Sequence, residues 1–245
     1  MSDLHLVQAP VNIAALHQWG ERRGLSRRGF LDEGAALHHL LGECFGPAAL
    51  QPFRLMPGRG RGAASVFAYA TDPSEALLQR AGAVATPDLL PVLDLSGLRS
   101  MPRPASAWQS GQRLGFDLRL RPVVRLAKAL EHEGGRFAKG AEVDAWLSHR
   151  LNGGTLDREA LYLDWLQARL GEAATLDRQT TRLERFQRSK VARGGRLSEG
   201  PDAVVFGTLQ VGDPALFAEK LASGVGRHKS YGYGMILLRP PQRPC

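Results

Sequence analysis

The segment Gly224-Val225-Gly226-Arg227-His228-Lys229-Ser230-Tyr231-Gly232-Tyr233-Gly234 constrains this chain most, because it runs straight into the apolar stretch Met235-Ile236-Leu237-Leu238. Glycines let a backbone turn through positive φ and let a ligand come close to the main chain. Upstream, Pro214–Ala222 has helical spacing, so the order is helix, glycine-rich loop, buried strand. A nucleotide-binding P-loop has the reverse order and ends in Gly-Lys-Ser/Thr, and a Rossmann fingerprint fails on the same context. Backbone N–H groups in such a loop suit an anion, and Arg227 and Lys229 add charge where a phosphate would lie. Spacing alone equally allows a purely structural glycine turn, so the rest of the chain decides.

A net charge of +8 points to a polyanionic partner, because phosphate contacts supply most nonspecific nucleic-acid affinity. A proteome biased toward arginine would scatter that charge, whereas here it clusters. Arg178, Arg182, Arg185, Arg188, Lys190, Arg193 and Arg196 face a single acid, Glu184, within residues 178–196. Arg22, Arg23, Arg27 and Arg28 form a second cluster, and Arg59 and Arg61 alternate with glycines in a third. A single charge run is usually a solvated face. Three of them beside the glycine-rich loop make nucleic acid the expected partner.

Other classes fit less well. No apolar run approaches the roughly 20 residues of a membrane span, and Met1–Leu6 has no signal-peptide pattern. Cys44 and Cys245 belong to no CxxC or Cys/His cluster, so neither a structural zinc nor another metal or cofactor is expected. Cys44 is expected to pack in a core. A reduced, cytoplasmic setting with no membrane partner follows. There is no cluster of carboxylates for two-metal chemistry and no GxSxG elbow.

The patterning predicts an α+β protein. Leu4–Val7 reads as a strand, Val11–Trp19 as a helix, and Asp32–Phe45 as a helix capped by Asp32. Phe53–Met56 and Ser65–Ala70 read as strands, Pro73–Ala81 as a helix and Val92–Leu95 as a strand. That is the β-α-β-β-α-β order of a ferredoxin-like unit. Met101–Pro104 reads as a linker. Gln112–Leu120 is a strand by its alternation of Leu114, Phe116, Leu118 and Leu120 with polar or small residues. Val143–Leu151 and Arg158–Leu170 read as helices, the basic segment as a hairpin or a helix, Ala203–Gln210 as a strand, and Tyr231–Leu238 as the closing strand. The expected architecture is two tandem ferredoxin-like (RRM-like) domains, residues 1–104 and 105–245, with the glycine-rich loop before the last strand.

Several segments together resemble the CasE-type CRISPR repeat endoribonucleases, which process CRISPR RNA. Gly224, Gly226, Lys229, Ser230, Gly232 and Gly234 fall on that family's G-x-G-x-x-K-[S/A]-x-G-x-G loop. Val204–Leu216 resembles the strand and helix that precede it, Gly111–Pro122 a family strand, and Ala145-Trp146-Leu147 with Arg150-Leu151 its mid-chain helix. The family's catalytic histidine lies in a Leu-His-x-x-Leu context, which Leu37-His38-His39-Leu40-Leu41 supplies. The resemblance therefore implies His38 as the catalytic residue, with His39 about 100° away around the helix. The family often has a tyrosine where this chain has Ala35, and Tyr231 or His228 is a candidate replacement. In related type IV systems arginines serve this site, which makes Arg23 or Arg27 a candidate.

The resemblance further implies metal-independent cleavage at the base of a repeat hairpin, by attack of the upstream ribose 2′-OH. Such a reaction needs a proton carrier that titrates near neutrality, which suits His38. It also needs cations beside the phosphorane, where Lys229 and Arg227 are placed by sequence. A cationic setting would lower the His38 pKa. The basic segment would grip an A-form stem through phosphates and 2′-OH groups, and the loop would add Gly224, Gly226, Arg227, His228, Ser230 and Gly232 as RNA contacts. The implied partners are repeat RNA, its 3′ hairpin in the mature guide, and the other subunits of the effector complex. The competing expectation is a noncatalytic subunit that only caps the guide hairpin.

Overall fold

A computed structural model of the chain describes residues 4–27, 29–58, 60, 62–193 and 196–242, apart from the side chains at 27, 192, 193, 196 and 197. The expected roles of Arg28, Arg59, Arg61 and Cys245, and of the Arg27, Arg193 and Arg196 side chains, lie outside what is described.

Strands of the two large sheets are numbered in chain order. The first sheet comprises β1 (Leu4–Asn12), β2 (Phe53–Pro57), β3 (Ala63–Ala70) and β4 (Arg99–Arg103). Its order is β2-β3-β1-β4, all antiparallel, which is the ferredoxin-like arrangement. Three helices accompany it: α1 (Ile13–Arg22), α2 (Glu33–Phe45) and α3 (Ser74–Val84). Val7, Ala9 and Val11 of β1 and Ala64, Val66 and Ala68 of β3 point to the helical side, where Leu16, Trp19, Leu37, Leu40 and Phe45 close the core. Cys44 is buried there, as expected, and burial pushes its thiol up to about 11.

The edge strand differs from expectation. Val92 and Leu93 are buried but form a turn with one isolated bridge, Val11 to Leu93, so Val92–Leu95 is not the strand. Residues 99–103 take that edge beside Leu4–Gln8, which makes the expected linker at Met101–Pro104 largely a strand. Pro102 is tolerated because an edge strand has one unpaired side, and Met101 points outward at 54 % exposure, so no buried alternation marked it. Pairing with Ala63 also carries β1 through Asn12, and α1 starts at Ile13 rather than Val11.

The second sheet comprises β5 (Arg113–Leu120), β6 (Ala174–Leu176), β7 (Arg182–Arg193), β8 (Arg196–Val211) and β9 (Ile236–Arg239). Along β9-β5-β8-β7 it repeats the same order, with β6 sharing the β8 edge beyond β7. Its helices are α4 (Ala145–Leu151), α5 (Arg158–Leu170) and α6 (Pro214–Ser223). Asp213 caps α6 by accepting from the Ala215 and Leu216 N–H groups, with Pro214 beginning the first turn. Val143, expected in a helix, instead pairs with Val124 in a short ladder. The closing strand is shorter than expected, because Gly232 and Gly234 take positive φ values of 82° and 81° and delay it to Ile236.

Phe116, Leu118 and Leu120 of β5 face α5 and α6. The same core takes in Leu4 and Tyr69 from the outer face of the first sheet, and the Tyr69 hydroxyl donates to the Ile236 carbonyl at 3.0 Å. The two sheets are thus joined through apolar packing. At the seam Arg54 of β2 pairs with Asp117 of β5, both nearly buried, and Arg239 donates to the second Asp117 oxygen at 2.6 Å.

Candidate active site and nucleic-acid interface

Asp32 accepts from the Ala35 N–H at 3.1 Å and starts α2. The apolar stripe Leu37, Leu40, Leu41 and Cys44 turns inward, which leaves His38 half-buried at its margin and His39 exposed. The glycine-rich loop packs across this margin. Gly34 lies one turn before His38 and meets the Tyr231 carbonyl so closely that a Cβ there would overlap it. The Tyr231 ring consequently sits 5.4 Å from the His38 ring, centroid to centroid, and the His39 ring centroid is likewise 5.4 Å from it.

Gln51 completes the surroundings. Its Nε2 is 3.3 Å from His38 Nδ1, and its Oε1 accepts a 3.0 Å hydrogen bond from the Ser230 hydroxyl. No local motif pointed to Gln51. The His38 pKa is lowered, as expected, but the leading cause is burial, followed by the neighbouring His39.

The loop itself is a tight structure. Gly224 and Gly234, at φ 72° and 81°, flank the Lys229 stem so closely that a Cβ on either would crowd it, at 3.1 and 3.2 Å. Larger residues there would displace the one lysine of the segment. Gly226 abuts the Trp165 ring and Gly232 faces Phe53. The expectation of N–H groups open to an anion is corrected at four positions. The amides of Gly224, Val225, Tyr231 and Gly234 donate to Lys220, Gly234, His228 and Arg119 carbonyls. Positive charge in the loop comes from Lys229 and Arg227. Arg227 is paired with Glu142 at 2.7 Å, and His228, at φ 62°, contacts the same carboxylate at 3.0 Å.

Arg23 is held elsewhere. It pairs with Glu43 at 3.1 Å and Asp88 at 3.0 Å and lies over the Trp19 ring, 5.2 Å from its centroid. Asp88 also accepts from the Trp19 indole at 3.1 Å. These contacts tie the end of α1 to α2, on the helix face of Glu43 and His39. None of them is to His38.

Of the two forms expected for the basic segment, it takes the hairpin, β7 and β8, with a bulge between Leu183 and Arg185. Strand alternation puts Arg188 and Lys190 on one face and Arg185, Gln187 and Ser189 on the other. Arg185, Arg188 and Lys190 are exposed, and Arg188 pairs with Glu199 across the hairpin. Arg178 pairs with Asp164 at 2.8 Å, and Arg182 is turned back onto the carbonyls of Arg178, Gln179 and Thr181.

A polar row on the second sheet links this hairpin to the loop. Arg119 makes two hydrogen bonds to Asp202, at 2.9 and 2.7 Å, and stacks on the Tyr233 ring at 4.4 Å. Ser189 lies 3.1 Å from the Tyr233 hydroxyl, and Arg121 donates to Ser189 at 3.2 Å. Burial alone would raise the Asp202 pKa, but the Arg119 hydrogen bond and charge outweigh it and lower the value. Between this row and the start of α2 lies a cleft of about 410 Å³ lined by Tyr231, Tyr233, Arg119, Ser189 and Lys190. Among the described residues no group of three or more His, Cys, Asp or Glu side chains is arranged to hold a metal ion. No helix among them is long and apolar enough to cross a membrane.

A family model described as CRISPR associated protein matches residues 4–240. The CRISPR-associated endoribonuclease Cse3 of Thermus thermophilus is 34% identical over 137 residues, 55% of this chain. That match spans 59% of the length of the curated relative. Among solved structures, CRISPR endoribonuclease Cse3 bound to 19 nt RNA superposes with a TM-score of 0.62 at 24% identity, covering 97% of this chain and 100% of that one. A chain of a CRISPR RNA-guided surveillance complex, pre-nicking, gives 0.58 at 16% identity, covering 96% of this chain and 99% of that one. These two likenesses are likenesses of fold.

Proposed function

The chain belongs to the CRISPR associated protein family, and we propose that within it the protein is a metal-independent endoribonuclease that cuts CRISPR repeat RNA at the base of its hairpin. One observation carries this reading. The helix with the Leu-His-x-x-Leu pattern and the glycine-rich loop, remote in sequence, meet at His38. The identity to a Cse3 endoribonuclease supports the same reading.

The chemistry follows from the groups at hand. A histidine with a lowered pKa is largely neutral at pH 7 and can accept the proton of a ribose 2′-OH. The 2′-oxygen then bonds to phosphorus as the bond from phosphorus to the 5′-oxygen breaks. The products are a 2′,3′-cyclic phosphate and a 5′-OH, the latter taking back the proton. Lys229, its stem seated between two glycines, is the cation for the phosphorane oxygens. Tyr231 flanks the imidazole and limits its motion. Arg185, Arg188 and Lys190 grip the stem through its phosphates. The protein then stays on the 3′ hairpin as a subunit of the effector complex, a reading supported by the shared fold with a surveillance-complex chain.

The test is cleavage of repeat RNA in EDTA by wild type and His38→Ala, with a 2′-deoxy substrate at the scissile nucleotide. Cleavage by wild type alone, with the deoxy substrate intact, is expected. Tight binding with no cleavage would leave a hairpin-capping subunit in place of the enzyme. Loss of cleavage in EDTA that returns with a divalent metal would overturn metal independence.

A further inference from the structure

We propose that Gln51 is a positioning residue for His38: its side-chain amide, held by the Ser230 hydroxyl, sets which imidazole nitrogen carries the proton. The inference rests on the reading of His38 as the proton carrier.

A primary amide has two unlike ends, an oxygen that only accepts and an NH₂ that only donates. Here the oxygen accepts from Ser230 at 3.0 Å, which turns the NH₂ toward His38 Nδ1 at 3.3 Å. Nδ1 must then accept, and a neutral ring carries its proton on Nε2. Both contacts are partly buried, where water replaces a lost partner poorly. A half-turn of the amide reverses every role. Its oxygen would accept from Nδ1–H, its NH₂ would donate to the Ser230 hydroxyl, and Nε2 would hold the lone pair that uptake of the 2′-OH proton requires, so His38 acts as a base only after that half-turn. The serine hydroxyl both donates and accepts, so neither arrangement leaves a group unpaired. An imidazolium, with N–H on both nitrogens, fits only the second arrangement.

The titratable groups that face the ring are His39, from its own helix, and Tyr231, from the loop. Neither contacts Nδ1 in place of Gln51. Ser230 neighbours Lys229, so the loop that carries the cation also anchors the amide that places the proton.

The experiment is long-range ¹H–¹⁵N NMR of histidine-labelled, RNA-free full-length chain, with His38 assigned by His38→Ala. Above its pKa, wild-type His38 is expected as the Nε2–H tautomer. Gln51→Glu presents oxygens alone, so His38 should convert to Nδ1–H and titrate about one pH unit or more higher. Gln51→Leu and Ser230→Ala should give a mixture of tautomers. Ser230→Ala lies on the other element and serves as an independent test if substitution at 51 disturbs folding. Wild-type His38 signals retained in these variants would overturn the proposal. If the tautomer shifts but wild type never cleaves RNA, the positioning holds and the nuclease reading falls. Cleavage with an unmoved tautomer is the converse.

Discussion

Gly34 and Tyr231 are fitted so closely that any side chain at position 34 would overlap the Tyr231 carbonyl oxygen. Because Gly34 stands four residues before His38, this contact sets the loop where its tyrosine ring reaches the imidazole. Gly34→Ala is expected to lift the loop, at about 1–3 kcal/mol for an overpacked site. In a chain of this size that is roughly 2–4 °C of Tm per kcal/mol. Cleavage should slow more than RNA binding weakens. Thermal unfolding and single-turnover cleavage test this, and a variant identical to wild type in both would remove the contact from any role.

The hairpin makes a separate prediction. Arg185 and Arg188 lie on opposite faces of β7 and both are exposed. Changing both to alanine should weaken repeat-RNA binding and reduce the slope of log affinity against log salt by about 1–2. Fluorescence anisotropy over a salt series measures it. Equal affinity and slope in both proteins would take the hairpin out of the interface.

The low pKa of His38 fixes the sign of a pH effect. Burial first, and then His39, lower it from the ordinary 6.5, so the folded chain favours the neutral ring. Between the folded value and 6.5 the unfolded chain binds the proton more readily. The associated stability is complete above 6.5 and is lost as pH falls through that window. Cleavage should likewise be level near pH 7 and decline only below 6.5. His39→Ala removes one lowering influence, so the midpoint should move up. A pH–rate profile with its midpoint above 6.5, or one that moves down in the variant, would contradict this.

The seam offers a stability test. Arg54 has a side-chain exposure of 7% and Asp117 of 9%. Asp117→Ala strands a buried guanidinium, and breaking such a pair by removing one partner costs about 3–5 kcal/mol. Urea unfolding is expected to show a loss of that order. A change below about 1 kcal/mol would mean that water reaches the Arg54 guanidinium and solvates it, which would remove the pair from the stability of the seam.

Much of this arrangement is legible in the sequence for local reasons. The Asp32 cap and the stripe Leu37, Leu40, Leu41 and Cys44 mark α2 and place His38 beside the apolar face. The alternation from Leu114 to Leu120 marks β5, and the glycines of the loop mark its turns. The unreadable parts depend on contacts between distant segments. Gln51 and Ser230 are 179 residues apart, and nothing in either neighbourhood records the other. Glu142 likewise neutralises Arg227 from a short ladder that reads as the start of a helix. β4 reads as a linker because an exposed Met101 and a tolerated Pro102 carry no buried alternation.

The meeting of α2 with the glycine-rich loop also has a consequence for timing during synthesis. The ribosome makes His38 early, yet the Tyr231 and Ser230 contacts that enclose it can form only after translation has passed residue 231. We expect a nascent chain to leave any repeat transcript nearby uncut until that point. Ribosome-arrested chains that stop before Gly224 provide the check, since cleavage of repeat RNA by them would show that the loop is dispensable.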